Sequence, residues 1–234
     1  MAEAIALTGV SAGYGPTHVL EDVTLTLAAS QSLSIVGRNG VGKSTLLNTI
    51  MGHTAMHGGT ITLGERDITH LAVHKRATAG LGYVPQEREI FPSLTVMENL
   101  TIGEAPGNWT QEAVFDLFPN LAERRDNMGN QLSGGEQQML SIARALMTNP
   151  GVLLMDEPSE GLAPIIVEEL VRILGRLRES GGITLILVEQ NTRIAFEFSD
   201  RTVVMDRGRI TYDGDSATLR SDKDRLDSLI GVSG

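Results

Sequence analysis

Short stretches of alternating apolar and polar residues fill the beginning of the chain. The run Val23-Thr24-Leu25-Thr26-Leu27 has the two-residue period of a strand with one buried face. Glycines and Pro16 interrupt the pattern between residues 4 and 27, at the places where turns would fall. We therefore predict a small antiparallel layer of strands at the amino terminus.

Three short strand signals appear farther along the chain. Ser32–Val36 leads into a glycine-rich turn, after which residues 44–51 have the apolar spacing of a helix. Residues 152–155 and Thr184–Val188 are continuous apolar runs that enclose a helix predicted over 164–178. This β-α-β order is typical of a parallel sheet with helices on its faces.

The middle of the chain has a different pattern. Between about residues 73 and 150 the apolar spacing becomes helical, with proline and glycine punctuation. Thr95 followed by Glu98 is the signature of a capping box and predicts a helix over 96–102. We interpret this stretch as a helical insertion.

A hairpin is predicted near the carboxyl end. Residues 203–205 and 210–212 are short strand-like stretches. The sequence Asp206-Arg207-Gly208 between them supplies turn residues, so the two stretches are expected to pair as antiparallel strands.

Length and composition indicate one globular domain. The chain has 234 residues, of which 41% are hydrophobic and 21% charged, and these values argue against disorder. We predict that a core and the β layer cover about residues 1–86 and 151–234, with a helical subdomain at about residues 87–150.

Charge and hydrophobic run length exclude several classes of function. A formal net charge of -10 opposes nonspecific binding to nucleic acid, which depends on cation contacts to phosphate. The longest uncharged apolar runs, such as residues 182–188, are far shorter than the ~18 residues that span a bilayer. The amino terminus lacks a secretory signal, so we expect the chain to stay in the cytosol. The absence of cysteine excludes disulfides and thiolate metal sites.

The glycine-rich turn carries the first candidate chemistry. Residues 37–44 read Gly-Arg-Asn-Gly-Val-Gly-Lys-Ser and match the P-loop pattern G-x-x-x-x-G-K-[ST], between a predicted strand and a predicted helix. Backbone N–H groups of such a loop point at a β-phosphate, and the helix N-terminus adds positive potential. Lys43 would reach the β and γ oxygens, Ser44 would ligate Mg²⁺, and Thr45 would lie near the α-phosphate. The predicted nucleotide ligands here are Gly37, Asn39, Gly40, Gly42, Lys43, Ser44 and Thr45.

Two acidic residues in succession follow the strand at 152–155. Asp156 is expected to hold Mg²⁺ through water, because nucleotide sites place a carboxylate at the end of a neighbouring strand. Glu157 is then positioned to orient and polarise an attacking water, and we predict it as the catalytic base. Without the glycine-rich loop, a solvated helix N-terminus would be the better explanation of this acidic pair.

A second glycine motif relates the chain to a known family. Residues 132–138 read Leu-Ser-Gly-Gly-Glu-Gln-Gln and precede a helix predicted over 139–147. With this motif the chain resembles the ABC transporter ATPases, whose signature begins LSGGQ, and the order of motifs matches that family over nearly the whole chain. The resemblance implies an α/β fold of the P-loop NTPase (RecA-like) type, with a parallel sheet core, a small N-terminal antiparallel β layer and a helical insertion subdomain. It also implies ATP and Mg²⁺ as cofactors.

The resemblance assigns roles to further residues. The signature would form a second anion-binding helix N-terminus that acts on the ATP held by the opposite subunit of a dimer. Its residues are Ser133, Gly134, Gly135 and Glu136. A plain helix cap is the alternative explanation of this motif. Tyr14 would stack on adenine, although an aromatic residue in a glycine-rich turn is otherwise a packing residue.

Gln86 looks like the Q-loop glutamine, which contacts Mg²⁺ and water in the family. The following stretch, residues 87–100, would form the groove that receives a helix from the membrane subunit. Phe91, Leu94 and Val96 are either contacts in that groove or core residues of the helical insertion, and the sequence favours neither interpretation.

Two positions depart from the family pattern. Gln190 stands where most members have a histidine, and an amide can donate a hydrogen bond to a γ-phosphate but cannot carry a proton. Turnover is therefore expected to be slower or to depend more on a partner subunit. Ala163 stands where the family usually has an aspartate that reaches across the dimer. The predicted catalytic residues are Glu157, Gln190 and Lys43, and the predicted Mg²⁺ ligands are Ser44, Gln86 and Asp156.

Residues 159–164 and 188–191 are similar to one of the two ATPases of branched-chain amino-acid importers, which pair as a heterodimer. The resemblance thus implies an ATP-hydrolysing importer subunit, peripheral on the cytoplasmic face of the cell inner membrane. Its partners would be a second ABC ATPase subunit, two transmembrane permease subunits and, indirectly, a substrate-binding protein, with no nucleic acid.

Other functions are compatible with the same motifs. The same role for urea, short amides or another amino acid is one alternative, and a regulatory nucleotide-binding ABC protein is another. Soluble ABC ATPases of DNA repair or translation fit less well. The repair type needs a long coiled coil, the translation type needs two ATPase modules in one chain, and this sequence has neither.

Overall fold

Two β-sheets of different type organise the structure. The computed structural model describes residues 1–231 of the chain. Its strands are β1 (Ile5–Tyr14), β2 (Thr17–Leu27), β3 (Ser32–Val36), β4 (Ala55–Leu63), β5 (Arg66–Asp67), β6 (Leu81–Val84), β7 (Val152–Asp156), β8 (Thr184–Val188), β9 (Arg201–Asp206) and β10 (Arg209–Asp215). Its helices are α1 (Lys43–Met51), α2 (Val73–Thr78), α3 (Val96–Thr101), α4 (Gln111–Leu117), α5 (Pro119–Glu123), α6 (Gly134–Met147), α7 (Pro164–Ser180), α8 (Thr192–Phe198), α9 (Ser216–Ser221) and α10 (Lys223–Ile230). None of the helices within residues 1–231 has both the length and the apolarity to cross a membrane.

The larger sheet has six strands in the order β10-β9-β3-β8-β7-β6. All neighbouring pairs are parallel except β9 and β10. The smaller sheet is antiparallel, with the order β2-β1-β4-β5. The fold class predicted from the sequence is therefore confirmed: a parallel sheet core accompanied by an antiparallel layer.

Every residue of β7 is buried, and successive residues face two different cores. Leu153 and Met155 pack in the core that contains α6 and α7. Val152 and Leu154 pack in the core shared with α1 and the antiparallel layer. Burial on both faces explains why this strand is a continuous apolar run rather than an alternating one.

Four elements differ from the sequence prediction. Residues 81–84 lie in the stretch interpreted as helical, but they form β6, a strand too short to show a period and defined by its parallel pairing with β7. The antiparallel layer also includes β4 and β5, which the pattern did not reveal because two glycines, Gly58 and Gly59, interrupt β4. The signature helix α6 begins at Gly134 rather than at residue 139, because Ser133 caps it before its apolar spacing starts.

The other local predictions agree with the structure. Thr95 Oγ1 accepts a hydrogen bond from the Glu98 backbone N–H at 3.1 Å, and the Glu98 carboxylate accepts from the Thr95 N–H at 2.7 Å, so the capping box at the start of α3 is confirmed. The hairpin of β9 and β10 is also confirmed. Its two central residues, Arg207 and Gly208, both have positive φ, at 46° and 76°, as a tight two-residue hairpin turn requires.

The hairpin turn also holds the glycine-rich loop in place. Gly208 N–H donates to the Val41 carbonyl at 2.8 Å, and the Gly208 carbonyl accepts from the Glu21 N–H at 3.0 Å. A Cβ at this position would lie 1.9 Å from the Val19 carbonyl oxygen, so the close approach requires glycine. The turn thereby joins the loop before α1 to strand β2.

Arg76 fixes the other end of α1. Its side chain is buried, with 2% exposure, and donates to four backbone carbonyls. Nη1 donates to Thr49 and Ile50 in the last turn of α1, at 2.8 and 2.7 Å, while Nη2 and Nε donate to Thr69 and Leu71, at 2.7 and 2.9 Å. A cation at a helix C-terminus is also favoured by the helix dipole.

Replacing this arginine tests how much its contacts contribute to stability. We expect Arg76→Met to lower the free energy of unfolding by about 3 kcal/mol, because four buried carbonyls lose a charged donor. Arg66→Met, at an exposed arginine in β5, is the control and is expected to change it by less than about 0.5 kcal/mol. Urea unfolding measures both. Equal midpoints for the two variants would contradict the stabilising role of Arg76.

Candidate nucleotide-binding site

The glycine-rich loop lies between β3 and α1. Gly37 has a φ of 156°, and a Cβ there would lie 2.4 Å from the Met205 carbonyl oxygen. Gly42 caps α1 with a φ of 109°, in the region that only glycine adopts readily. The first turn of α1 contains no acidic residue, so the positive end of its dipole is not neutralised locally. The loop and the helix start therefore form a surface suited to an anion.

Lys43 is turned inward at the first position of α1 and is 4% exposed. Its Nζ donates to the carbonyls of Gly37 and Arg38, both at 3.0 Å. The same ammonium lies 3.4 Å from Oε1 of Glu157, which makes a buried ion pair. Lys43 is thus held by its own loop and by the acidic residue that follows β7.

Glu157 has a left-handed backbone conformation, with φ at 45°. A residue with a Cβ pays for this conformation with about 1–2 kcal/mol of strain, so the surrounding contacts must impose it. One of them is the hydrogen bond from its N–H to the Val188 carbonyl of β8, at 2.9 Å. The side chain is 6% exposed, and its Oε2 accepts a hydrogen bond from Nε2 of Gln190. The carboxylate therefore has a cation on one oxygen and an amide donor on the other.

Asp156 lies beneath the loop at the end of β7, with 2% exposure. Ser44 Oγ donates to its Oδ1 at 3.1 Å. The pKa of Asp156 is raised to about 6, mainly because the group is buried, while the hydrogen bond from Ser44 opposes the shift and the nearby Glu157 carboxylate adds to it. Together the two side chains present a carboxylate and a hydroxyl, which are hard oxygen donors.

A cavity of about 300 Å³ opens above these groups. Its lining consists of Asn39, Gly40, Gly42, Lys43, Ser44, Thr45, Gln86, Glu157, Glu160 and Gln190. All of these except Glu160 are predicted from the sequence as site residues. Glu160 lies in the stretch 159–164 that resembles the importer ATPases, but the sequence predicted no role for this residue. Its carboxylate accepts a hydrogen bond from Nε2 of Gln86.

The signature residues lie outside the lining of this cavity. Ser133 is the N-cap of α6, and its Oγ accepts from the Glu136 N–H at 3.3 Å. The Glu136 carboxylate accepts from the Ser133 N–H at 2.7 Å and pairs with Nε of Arg124 at 2.5 Å. The N–H groups of Gly134 and Gly135 are in the first turn, where a helix has no internal partner for them. The motif is thus an ordered helix start that does not reach the loop of its own chain.

The remaining predicted residues are also separate from the cavity. Tyr14 ends β1 and is 51% exposed, so its ring is accessible but not part of the lining. Ala163 precedes α7 without a side-chain cap. In the stretch after Gln86, Val96 is fully buried and is therefore a core residue, whereas Phe91 is 43% exposed.

The similarity to known proteins extends over nearly the whole chain. The family model described as ABC transporter matches residues 20–160. The high-affinity branched-chain amino acid transport ATP-binding protein BraG of Pseudomonas aeruginosa is 38% identical over 230 residues, covering 95% of this chain and 97% of that protein. The probable branched-chain amino acid transport ATP-binding protein LivF of Archaeoglobus fulgidus is 37% identical over 215 residues, covering 90% and 91%. The lipopolysaccharide export system ATP-binding protein LptB of Escherichia coli is 34% identical over 217 residues, covering 90% of each chain.

Solved structures show the same similarity. The ADP conformation of an ATP-binding cassette of an ABC transporter has a TM-score of 0.82 at 27% identity and covers 100% of both chains. A dimeric, post-hydrolysis ATP-binding cassette bound to ADP and Pi has a TM-score of 0.79 at 26% identity, covering 91% of this chain and 98% of that one. Sequence and structure thus agree on one family.

Removing the ammonium tests whether the cavity binds nucleotide through Lys43. We expect Lys43→Met to weaken binding of a fluorescent ATP analogue on the order of a hundredfold, because several charged hydrogen bonds to phosphate are lost. Lys75→Met, at an exposed lysine of α2, is the matched control and should bind like the wild type. Fluorescence titration measures both, and a melting curve without nucleotide checks the fold. Unchanged affinity in folded Lys43→Met would contradict the assignment.

Proposed function

Because the chain belongs to the ABC transporter family and is an ATPase coupled to transport, we propose that it powers import of branched-chain amino acids. The proposed cargo is supported by the similarity to BraG and LivF, which extends over 95% and 90% of the chain. The similarity to the export protein LptB, at 34% identity, makes export the second candidate.

The loop and the start of α1 bind the triphosphate of ATP in this proposal. Backbone N–H groups and the helix dipole attract the phosphates, and Lys43 adds a full positive charge. A bound triphosphate competes with Glu157 and with two loop carbonyls for the same ammonium. Binding therefore exchanges contacts within the site for contacts to the nucleotide.

Release from Lys43 changes what Glu157 can do. While Lys43 pairs with Oε1 of Glu157, that oxygen is not available to accept a proton from water. Once the ammonium turns to phosphate, Gln190 still donates to Oε2, and Oε1 is left to accept a proton from water. Glu157 then orients and polarises the attacking water, as phosphoryl transfer requires. Gln190 orients this carboxylate without bringing a charge of its own.

Ser44, Gln86 and Asp156 hold Mg²⁺ in this proposal, with Asp156 acting through a water. A hydroxyl, an amide oxygen and one carboxylate suit a cation that prefers oxygen and takes its remaining ligands from phosphate and water. When bound, Mg²⁺ neutralises charge on the β- and γ-phosphates. The hydrogen bond between Ser44 and Asp156 keeps the carboxylate next to a residue that lines the cavity.

A dimer explains why the signature lies outside the cavity of its own chain. Ser133, Gly134 and Gly135 act on the ATP of the opposite subunit, which is a second ABC ATPase of the same or a related sequence. One structural relative is itself a dimer. Tyr14 stacks on the adenine from the exposed end of β1.

The pair of ATPases binds two permease subunits at the cytoplasmic face of the membrane, and a substrate-binding protein delivers the cargo. Residues 87–100 form the permease contact, where Phe91 is the exposed aromatic residue. Transported substrate never touches this chain.

Removing the catalytic charge separates binding from hydrolysis. We expect Glu157→Gln to lower ATP hydrolysis by at least about a hundredfold, because general-base assistance is lost, while ATP binding is preserved and a closed dimer accumulates. Phosphate release and light scattering measure the two effects. Glu168→Gln, at an exposed glutamate of α7, should leave both unchanged. Undiminished hydrolysis by Glu157→Gln would remove the catalytic assignment.

Cargo is tested in the cells that carry the gene. A chromosomal Glu157→Gln change is expected to abolish uptake of radiolabelled leucine, isoleucine and valine, while arginine uptake stays normal and a Glu168→Gln strain behaves like the parent. Normal leucine uptake would overturn the proposed cargo. If lipopolysaccharide were then missing from the cell surface, lipopolysaccharide export would replace amino-acid import as the proposed function.

A further inference from the structure

Glu160 is the lining residue of the nucleotide cavity that the mechanism above does not use. It lies in the turn between β7 and α7, four residues after Asp156. Its backbone N–H donates to the Glu157 carbonyl at 3.0 Å. The neighbouring Ser159 N–H donates at 3.2 Å to the carboxylate of Glu189, which is 2% exposed. These two hydrogen bonds hold the turn that contains Glu160.

Gln86 reaches the same place from the adjacent strand. Strands β6 and β7 pair in parallel, with Val84 opposite Met155, so the residues that follow them leave the sheet at one edge. Pro85 restricts the backbone directly before Gln86. Across this edge, Nε2 of Gln86 donates a hydrogen bond to the Glu160 carboxylate.

This contact determines which way the Gln86 amide faces. A side-chain amide has a donor end and an acceptor end of nearly equal size, and an exposed glutamine can turn either end toward the site. An ionised carboxylate only accepts hydrogen bonds, so it must face the NH₂ group. Oε1, the one atom of the amide that can ligate a cation, is then left available to the cavity.

We propose that Glu160 is a positioning residue for Mg²⁺, because it holds the Gln86 amide in the orientation that presents Oε1 to the cation. The inference rests on the proposed function, in which Gln86 is a ligand of Mg²⁺. Glu160 would then orient a metal ligand without touching the metal, as carboxylates orient metal-binding histidines in other proteins.

The test measures nucleotide binding rather than turnover. A fluorescent, non-hydrolysable ATP analogue is titrated into the full chain in EDTA and at increasing MgCl₂. We expect Glu160→Ala to raise about tenfold the MgCl₂ concentration at which Mg²⁺ produces half of its effect on analogue binding, because loss of an outer-shell partner weakens metal sites by such a factor. The affinity for the analogue in EDTA should be unchanged. Glu160→Gln is expected to lie between wild type and Glu160→Ala, because its amide can pair with either end of Gln86. Glu179→Ala, at an exposed glutamate of α7, controls for the loss of one negative charge.

A double-mutant cycle separates positioning from direct effects. If Glu160 acts through Gln86, then Glu160→Ala changes nothing further in a Gln86→Ala background. A full effect of Glu160→Ala in that background would overturn the proposal, because Glu160 would then act on the cation or nucleotide directly. The proposal would also be overturned if Glu160→Ala bound the analogue more tightly by the same factor in EDTA and in Mg²⁺, because that result would reflect only the removal of a negative charge. Failure of the wild-type chain to bind the analogue at all would instead refute the proposed function.

Discussion

Parallel pairing of β3, β8, β7 and β6 is the constraint on which the site depends. In a parallel sheet the carboxyl ends of all strands meet at one edge, where ligands of open α/β sheets bind. The glycine-rich loop follows β3. Asp156 is the last residue of β7, and Glu157 comes directly after it. Gln86 lies two residues after the end of β6, and Gln190 two residues after the end of β8. Groups that are far apart in sequence thus meet around one cavity because each is placed by the strand before it.

Lys43 and Glu157 satisfy each other's charge inside the site. The ammonium of Lys43 is shared between loop carbonyls and Glu157, and Gln190 completes the hydrogen bonding of that carboxylate. Leaving either buried charge unpaired would be strongly unfavourable, so these contacts keep the two side chains ordered. In the proposed mechanism, the same pairing keeps Oε1 of Glu157 occupied until phosphate takes the ammonium.

The sequence predicted those parts of the site that belong to contiguous motifs. The loop at residues 37–44 and the acidic pair after β7 are local patterns whose position after a strand can be recognised directly. Lys43, Ser44 and Glu157 line one cavity, and Asp156 is hydrogen-bonded to Ser44. The roles of the individual residues stay predictions, as do the subdomain boundaries. Local capping rules likewise located the start of α3.

What the sequence did not reveal depends on partners distant along the chain. Four residues of β6 show no period, and only pairing with β7 makes them a strand. Two glycines hide the alternation of β4. The contact between Glu160 and Gln86 was not predicted, because the two residues lie in separate segments and an exposed acidic turn residue is ordinarily just solvated.

The left-handed backbone of Glu157 has a consequence for molecular evolution. Glycine at this position would relieve the strain, but it would also leave the buried Lys43 ammonium without its carboxylate partner. In its proposed role as catalytic base, the glutamate is kept for turnover as well as for this ion pair, unlike the leucines of β7, which folding by itself preserves. Among descendants of this gene that no longer need turnover, residues 43 and 157 should therefore change together while the hydrophobic core is still intact.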